Sequence, residues 1–348
     1  MSGSTKQTNF GSRLGFILAS AGSAVGLGAI WKFPYMAGTN GGAVFMLPYI
    51  FFTVTVGMAL LLAEFAMGRA GRSGPVGSLN NVCGKPWGIF GGIGVFTVFL
   101  ILSFYSIVGG WCLKYTADAA TGAGLKIAPE QLGSYFGAFV SDGVSSYLML
   151  LLFLFITAIV VLRGIDKGVE RFAKVLMPAL FVLMIVLIIR GVTLPGGWEG
   201  VKFLFDFSFD KLTWMSVLNA MGFTFFSLSL GCGIMVTYGA YLKDSTDIPN
   251  SSLWIAYLAI QTALLAGLMI MPAVFAMGQD PNAGPGLVFV TIPFIFSQIP
   301  FGWLFMILFN VCLLVAALTS SVSLLEVCIA YLQNEWHMKR VSASILCY

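Results

Sequence analysis

The stretch Ser20-Ala-Gly-Ser-Ala-Val-Gly-Leu-Gly28 places a run of small residues inside an otherwise apolar, helical segment. Its three glycines each cost a helix roughly 1 kcal/mol relative to alanine, so we expect regular winding to fail here. In lipid, an unwound backbone is tolerated only where it is buried in protein or lines a cavity, because unpaired amides and carbonyls are costly in hydrocarbon. The stretch therefore predicts a broken membrane helix whose exposed backbone groups bind an ion or a polar substrate.

The composition indicates a membrane protein. Hydrophobic residues make up 58% of the 348 residues and charged residues only 9%, which excludes an ordinary soluble surface. Segments of about 20 apolar residues, each long enough for one crossing, occur near 13–37, 42–69, 88–116, 145–163, 171–190, 213–241, 252–277 and 301–332. The sequence thus predicts an all-α polytopic protein with eight spans in the cell membrane, in contact with the lipid bilayer and not with nucleic acid.

The loops predict an orientation. Twelve of the eighteen Lys and Arg residues lie in the N-terminus, in alternate loops and in the tail, which share one side if eight crossings are correct. The positive-inside rule then places the N-terminus and the tail in the cytoplasm. On the opposite side, residues 196–212 are too polar to cross and predict an extracellular loop, and the Pro- and Gly-bounded segment of about 282–300 predicts a lid.

A second interruption, 227–233, lies in the sixth span at about the depth of the break near 22–28. Five crossings separate the two breaks, so the spans run in opposite directions, as in an inverted repeat with a midplane binding site. We expect residues 1–195 to form a first five-span repeat and 213–348 a partial second one. Only 13 residues follow Glu335, so the expectation is a truncated fragment, inactive alone, or a chain completed by a partner. Alternatively, both breaks are helix-packing motifs.

Several motifs resemble the neurotransmitter:sodium symporter family, and in particular its bacterial amino-acid transporters similar to the bacterial leucine transporter. The motifs are 13–28 (RLGFILASAGSAVGLG), Phe33-Pro-Tyr35, Asn40-Gly-Gly42, 64–69 (EFAMGR), 225–231 (FFSLSLG) and 318–321 (LTSS). They extend over nearly the whole chain. The resemblance implies a leucine-transporter-like fold, incomplete in its second repeat, and transport by alternating access.

The resemblance also implies a substrate site between the two breaks. The amides of Leu27 and Gly28 lie at the N-terminus of a half-helix, whose partial positive charge favours a carboxylate. Tyr105 is expected to hydrogen-bond the same carboxylate, while the ammonium group would contact the carbonyls of Ala24 and Phe226 and the hydroxyl of Ser229. The remaining expected substrate contacts come from Ile101, Ser227, Cys232, Ser320, Ser321 and Leu324.

Sodium prefers oxygen ligands, which unwound carbonyls and hydroxyls provide. By resemblance, one sodium site combines the carbonyls of Gly22, Val25 and Ala316 with the hydroxyls of Thr319 and Ser320. Without the resemblance, such a Thr-Ser pair would more often hydrogen-bond its own helix.

The family's other sodium site departs from the pattern. The asparagine expected after Gly-Leu-Gly is Ala29, and the one expected on span 7 falls at Leu258 or Ala259. Ser227 is the side-chain ligand that remains, so we expect this site to be weakened or absent, with one sodium coupled rather than two. The position of the chloride site near Thr262 carries no acid while Tyr49 is retained, which leaves chloride dependence open.

Two residues are predicted to act in gating near the substrate site. Glu64 is an acid within span 2, where a charge costs roughly 3 kcal/mol, and is therefore functional by default. In the family it braces the unwound backbones of spans 1 and 6. Lys32 takes the place of the basic residue of the outer gate.

The inner gate departs from the family pattern, because its basic and acidic residues are replaced by Gln7 and Asn334. A neutral hydrogen-bonded latch is expected there. Gly168 and Pro178 flank nine residues at the start of span 5, the spacing at which relatives unwind for sodium release.

These observations predict a sodium-coupled symporter of neutral hydrophobic or aromatic amino acids. No cofactor is expected besides sodium as the coupling ion. An ion channel and a transport-dead amino-acid sensor remain alternatives. An enzyme is not expected, because the single histidine, His337, lies at the cytoplasmic end, and no nucleophile, base and acid occur together.

Overall fold

Every regular element in the described residues of this computed structural model is helical, which confirms the predicted all-α class. The structure describes residues 9–124, 127–280 and 286–347. In chain order the α-helices are α1 (Arg13–Ala24), α2 (Phe33–Thr39), α3 (Ala43–Phe52), α4 (Met58–Gly71), α5 (Pro75–Cys83), α6 (Gly88–Thr121), α7 (Leu132–Ser141), α8 (Gly143–Leu162), α9 (Arg171–Val192), α10 (Gly197–Phe205), α11 (Trp214–Ser227), α12 (Ile234–Ala240), α13 (Ile248–Ala276), α14 (Ile292–Ser297), α15 (Gly302–Glu335) and α16 (Arg340–Leu346). Wider π-helical turns form Gly28–Lys32, Thr53–Gly57, Ile165–Glu170 and Leu287–Thr291.

Six continuous helical segments within the described ranges are long and apolar enough to cross a membrane: Ala43–Gly71, Lys85–Thr121, Gly143–Leu162, Ile165–Val192, Ile248–Ala276 and Gly302–Glu335. A seventh span consists of two pieces, Arg13–Ala24 and Gly28–Thr39, bent by 45° at the intervening break. The eighth predicted span, 213–241, is divided into α11 and α12, whose 14 and 7 residues are each too short to cross alone.

The breaks lie at the centre of the bundle. Helix α1 packs against α9, α13 and α15, while α12 packs against α4 and α15. All seven residues of α12 are buried, as is most of α15. The irregular backbone between α1 and α2, and between α11 and α12, is therefore enclosed by protein, as the cost of unpaired backbone groups in lipid requires.

The predicted extracellular elements form short helices. Residues 196–212 contain α10, which packs against α13, and a single turn at Phe209–Lys211. The predicted lid contains the π-turn Leu287–Thr291 and α14, and its residues 281–285 lie outside the described ranges. Phe289 of this π-turn stacks on Phe136 with ring centroids 5.5 Å apart, so the lid contacts α7 directly.

Candidate functional site

The two breaks meet in the bundle centre. Helix α1 ends at Ala24 and helical winding resumes at Gly28. In the second break, Ser229, Gly231 and Gly233 have φ angles of 55°, 80° and 80°. Such left-handed conformations suit glycine, which explains why small residues mark this stretch.

Serine hydroxyls connect the end of α1 to the second break and to α15. The Ser229 hydroxyl lies 3.1 Å from that of Ser23 and also donates to the Ser23 carbonyl at 3.3 Å. From α15, Ser323 donates to the Ser23 hydroxyl at 2.7 Å. The end of α1, the second break and α15 are thus held together by polar contacts at one point.

A cavity of about 290 Å³ lies beside these contacts. Its lining includes nine of the twelve predicted substrate residues, namely Ala24, Gly28, Ile101, Tyr105, Phe226, Ser229, Cys232, Ser320 and Leu324. Sequence reasoning missed the other lining residues, Ser23, Gly26, Ala29, Gly222, Phe225, Leu230 and Ile234. None of the sixteen carries a charge, and the wall is mainly aliphatic and aromatic. The cavity therefore suits a neutral ligand with an apolar side chain.

Three predicted substrate residues do not line the cavity. The Ser227 hydroxyl lies 3.0 Å from the Tyr49 hydroxyl, and the Ser321 hydroxyl lies 2.9 Å from that of Thr157. Both serines therefore contact buried polar partners on neighbouring helices and not the cavity. The side chain of Leu27 is buried in the core, so only its backbone amide contributes to the polar end of the cavity.

The polar end of the cavity is built around Tyr105. Its hydroxyl accepts a hydrogen bond from the Leu27 amide at 2.9 Å. Gly26 lies so close that a β-carbon there would stand 1.7 Å from the Ser320 Oγ and 2.9 Å from the Tyr105 hydroxyl. Only glycine fits at this position, which brings the backbone amides and these hydroxyls into one small polar region.

The predicted sodium ligands from α1 and α15 lie side by side. The Ser320 hydroxyl is 3.5 Å from the Gly22 carbonyl and 3.1 Å from the Ser23 carbonyl, to which it donates. The Thr319 hydroxyl donates to the Ala316 carbonyl at 3.0 Å. The Val25 amide closes the last turn of α1 onto the Ala21 carbonyl.

At the other predicted sodium site, the departures from the family pattern remain apolar. Ala29 lines the cavity and Leu258 is half-buried on α13, so neither offers a side-chain oxygen. Thr262, at the chloride-site position, donates to the Leu258 carbonyl of its own helix at 2.8 Å. Ala259 is fully buried.

Lys32 contacts Phe226, one of the residues that line the cavity. The Lys32 ammonium lies 4.4 Å from the centroid of the Phe226 ring, which is within range of a cation–π contact. Phe226 is 44% exposed. The predicted outer-gate cation thus contacts an aromatic cavity residue.

Glu64 reaches one of the two breaks that the family pattern assigns to it. Its Oε1 accepts a hydrogen bond from the Gly231 amide at 2.7 Å, which ties α4 to the second break. Its Oε2 is buried and has no hydrogen-bond partner in the described part of the chain. The structure therefore differs from the expectation of a brace to both breaks, because α1 presents no donor to this carboxylate.

The predicted inner-gate residues are only partly observable. Gln7 lies outside the described residues, and Asn334 lies near the end of α15 beside Gly74. Gly168 is buried in the π-turn Ile165–Glu170, and Pro178 lies within the continuous helix α9. Instead of an unwound segment, the structure has a helix that is wound throughout this region but widened at its start.

Two acidic clusters near the predicted inner gate were not predicted from the sequence. Glu170 accepts hydrogen bonds from the Gly11 amide at 2.6 Å and the Ser12 hydroxyl at 2.8 Å, and pairs with Lys174 at 2.6 Å. It thereby attaches the start of α1 to the start of α9. Because Glu170 lies one residue before the predicted span 171–190, in a loop that also carries Arg163 and Lys167, no acid within a predicted span marked it in the sequence.

The second cluster is centred on Glu326, which is fully buried on α15. Its carboxylate accepts a hydrogen bond from Tyr241 at 2.8 Å and pairs with the guanidinium of Arg340. Although burial opposes the charge of Arg340, the neighbouring carboxylate outweighs it and raises the pKa of Arg340. The Arg340 Nε also donates to the Val161 carbonyl at 2.9 Å, so this pair joins α8, α15 and α16 to Tyr241, the residue that follows α12.

Comparisons with known proteins agree with this architecture. The model of the sodium:neurotransmitter symporter family matches residues 7–124 and 139–347. Over 340 residues the chain is 44% identical to the uncharacterized sodium-dependent transporter YhdH of Bacillus subtilis, covering 97% of this chain and 75% of the relative. It is 34% identical over 352 residues to an uncharacterized sodium-dependent transporter of Haemophilus influenzae, covering 98% and 77% respectively.

The fold is likewise shared with a solved transporter. The crystal structure of MhsT in complex with L-phenylalanine matches with a TM-score of 0.91 and 43% sequence identity, covering 98% of this chain and 78% of MhsT. The leucine-transporter-like polytopic fold implied by the sequence motifs is therefore confirmed. Because the family model covers most of the chain and the relatives exceed 30% identity over more than two thirds of their length, this chain belongs to the sodium:neurotransmitter symporter family, a family of transporters and not of enzymes.

Proposed function

We propose that this protein is a sodium-coupled symporter of neutral hydrophobic or aromatic amino acids that works by alternating access. The observation that carries the proposal is the cavity of about 290 Å³, which joins an uncharged apolar wall to a polar end formed by Tyr105 and the Leu27 amide. The solved complex of MhsT with L-phenylalanine supports the substrate class.

Sodium is proposed to bind next to this polar end. The hydroxyls of Thr319 and Ser320 would leave the carbonyls they now contact and turn toward the ion, together with the carbonyls of Gly22, Val25 and Ala316. An ion at this position holds α1 against α15 and so biases the population of substrate-binding states. Coupling is proposed to involve one sodium, since Ala29 and Leu258 supply no oxygen for a second.

We further propose that the N-terminus faces the cytoplasm of a cell membrane, as the distribution of Lys and Arg predicts. Lys32 and Phe226 then lie on the extracellular side of the cavity, and Glu170 and Glu326 on the cytoplasmic side.

The test is binding of labelled L-phenylalanine to the purified protein in sodium and in choline. We expect binding in sodium only, and we expect the double substitution Thr319→Ala with Ser320→Ala to remove the sodium dependence. The matched control is Thr97→Ala with Ser103→Ala on α6, which removes two exposed hydroxyls that also hydrogen-bond their own helix, at 2.8 and 2.9 Å.

Binding of equal strength in choline would refute sodium coupling, and full sodium dependence in the Thr319 and Ser320 double variant would refute the ion site. Uptake into proteoliposomes then separates a symporter from the alternatives. Sodium-dependent binding without uptake would indicate a sensor, and a sodium current without substrate would indicate a channel.

A further inference from the structure

A basic groove lies at the predicted cytoplasmic end of the bundle, between the end of α8 and the start of α9. It encloses about 240 Å³. Three cationic side chains, Arg163, Lys167 and Arg171, line it, and all three residues are exposed. It is separate from the substrate cavity, with which it shares no lining residue.

The floor of the groove is apolar. Val160 and Leu176 are half-buried in it, and Val175 is 64% exposed. These residues belong to spans α8 and α9, so the apolar floor continues onto the lipid-facing surface of the two helices. A ligand with an anionic head and an apolar tail matches this combination of surfaces.

Charges of opposite sign are segregated on the two faces of the π-turn Ile165–Glu170. A β-carbon built on Gly11 would lie 2.7 Å from the Asp166 carboxylate and 3.4 Å from that of Glu170, so both acids face the start of α1. Lys167 faces the groove with Arg163 and Arg171, and within the described ranges none of these three cations forms an ion pair. The groove therefore presents uncompensated positive charge at the membrane surface.

We propose that this groove binds an anionic phospholipid of the cytoplasmic leaflet. The lipid phosphate lies among the three cations, where juxtamembrane Lys and Arg are known to attract anionic head groups, and an acyl chain follows the apolar floor. The proposal rests on the proposed orientation of the chain but not on its substrate or its coupling ion.

A lipid at this position holds the π-turn against α8. Gly168 already packs so closely on α8 that a β-carbon there would lie 2.1 Å from the Val160 carbonyl. A phosphate that contacts both Arg163 at the end of α8 and Arg171 at the start of α9 bridges the same junction. Because Glu170 of this π-turn holds Gly11 and Ser12, the lipid also stabilises the attachment of α1.

The test is amide hydrogen exchange of residues 165–170 in lipid nanodiscs made of phosphatidylcholine alone or with phosphatidylglycerol. We expect phosphatidylglycerol to slow exchange of this segment by about tenfold or more, as expected for two or three cation–phosphate contacts. The double substitution Lys167→Gln with Arg171→Gln is expected to remove most of this protection. The matched control, Lys85→Gln with Lys339→Gln, removes two other exposed cations of the same predicted side and is expected to retain it.

Native mass spectrometry of the same variants provides a second measurement, the number of phosphatidylglycerol molecules retained after detergent release. Equal exchange in the two nanodiscs, or equal loss of protection and of retained lipid in both double variants, would overturn the proposal. Equal protection by inorganic phosphate in phosphatidylcholine nanodiscs would also overturn it, because the groove would then be a simple anion site. Failure of sodium-dependent substrate binding would leave these outcomes unaffected.

Discussion

The buried pair of Glu326 and Arg340 permits a quantitative test. Removing one member of a buried ion pair leaves the other charge buried and uncompensated, at a cost of about 3–5 kcal/mol. Glu326→Leu also deprives Tyr241 of its acceptor, and Arg340→Leu deprives the Val161 carbonyl of its donor, each adding about 1–3 kcal/mol. We therefore expect each single substitution to lower the free energy of unfolding by at least about 4 kcal/mol.

The double substitution removes both charges and leaves only the two neutral groups unpaired. Its expected cost is about 2–6 kcal/mol, no more than that of either single substitution. The sum of the two single costs should then exceed the cost of the double by about 6–10 kcal/mol, twice the cost of one uncompensated charge, which is a large coupling for two neighbouring residues.

The assay is equilibrium unfolding in mixed micelles, followed by the far-ultraviolet circular dichroism of the helices. Glu199 and Lys202 provide a control pair, since their side chains are 62% and 58% exposed and contact each other at 2.7 Å. Leucine substitutions there should give a coupling of only about 0.2–1 kcal/mol. If the two single substitutions at Glu326 and Arg340 lowered the free energy of unfolding by amounts that add up to the effect of the double substitution, the interpretation that these charges compensate each other would be refuted.

The remaining predictions concern the cavity and its ions. Gly26→Ala should abolish sodium-dependent binding of L-phenylalanine, because the new methyl group overlaps the Ser320 Oγ. The control Gly222→Ala should retain binding, because a β-carbon at this cavity position has nothing within 4 Å. Equal binding by both variants would contradict the packing argument. Glu64→Ala should destabilise the protein by about 0.5–1.5 kcal/mol more than Glu64→Gln does, since only glutamine keeps an acceptor for the Gly231 amide, and matching unfolding curves would exclude that role. Sodium activation of substrate binding should be hyperbolic, with a Hill coefficient of about 1, and a steep sigmoid with two ions counted per substrate would show that other oxygens rebuild the second site.

The positions of the breaks could be predicted from the sequence because their cause is local. Glycine and serine in runs fail as helix formers wherever they occur, and the left-handed conformation of Ser229 and Gly231 follows from the same small residues. Side-chain directions depend instead on which helix packs opposite. The family pattern predicts Ser227 and Ser321 in the cavity, yet in the structure each contacts a hydroxyl on a neighbouring helix. Only the packed structure determines that partner.

The polar contacts at the proposed cytoplasmic end could be predicted only in part. The latch predicted from the family positions involves Gln7 and Asn334, and both residues are neutral. The acid that pairs with Arg340 is Glu326, which lies about two helical turns before Asn334, inside the 34-residue apolar helix α15. An ionisable residue within a span is a functional signal in its own right. Its partner could not be identified from the sequence, because Arg340 lies on the next helix and reaches back to it.

The hydrogen bond between the Leu27 amide and the Tyr105 hydroxyl also bears on selectivity. In this arrangement the Leu27 amide already has an acceptor. A ligand that displaces Tyr105 therefore gains only the difference in hydrogen-bond free energy between its own acceptor and the phenol oxygen. A carboxylate gains from this exchange because it is charged, and hydrogen bonds to charged acceptors are roughly twice as strong as those to neutral ones. An amino-acid amide or ester offers only a neutral acceptor, so it gains less from displacing Tyr105 than a carboxylate does. For the proposed amino-acid substrate, we expect this competition by Tyr105 to favour a carboxylate over neutral analogues without any steric clash.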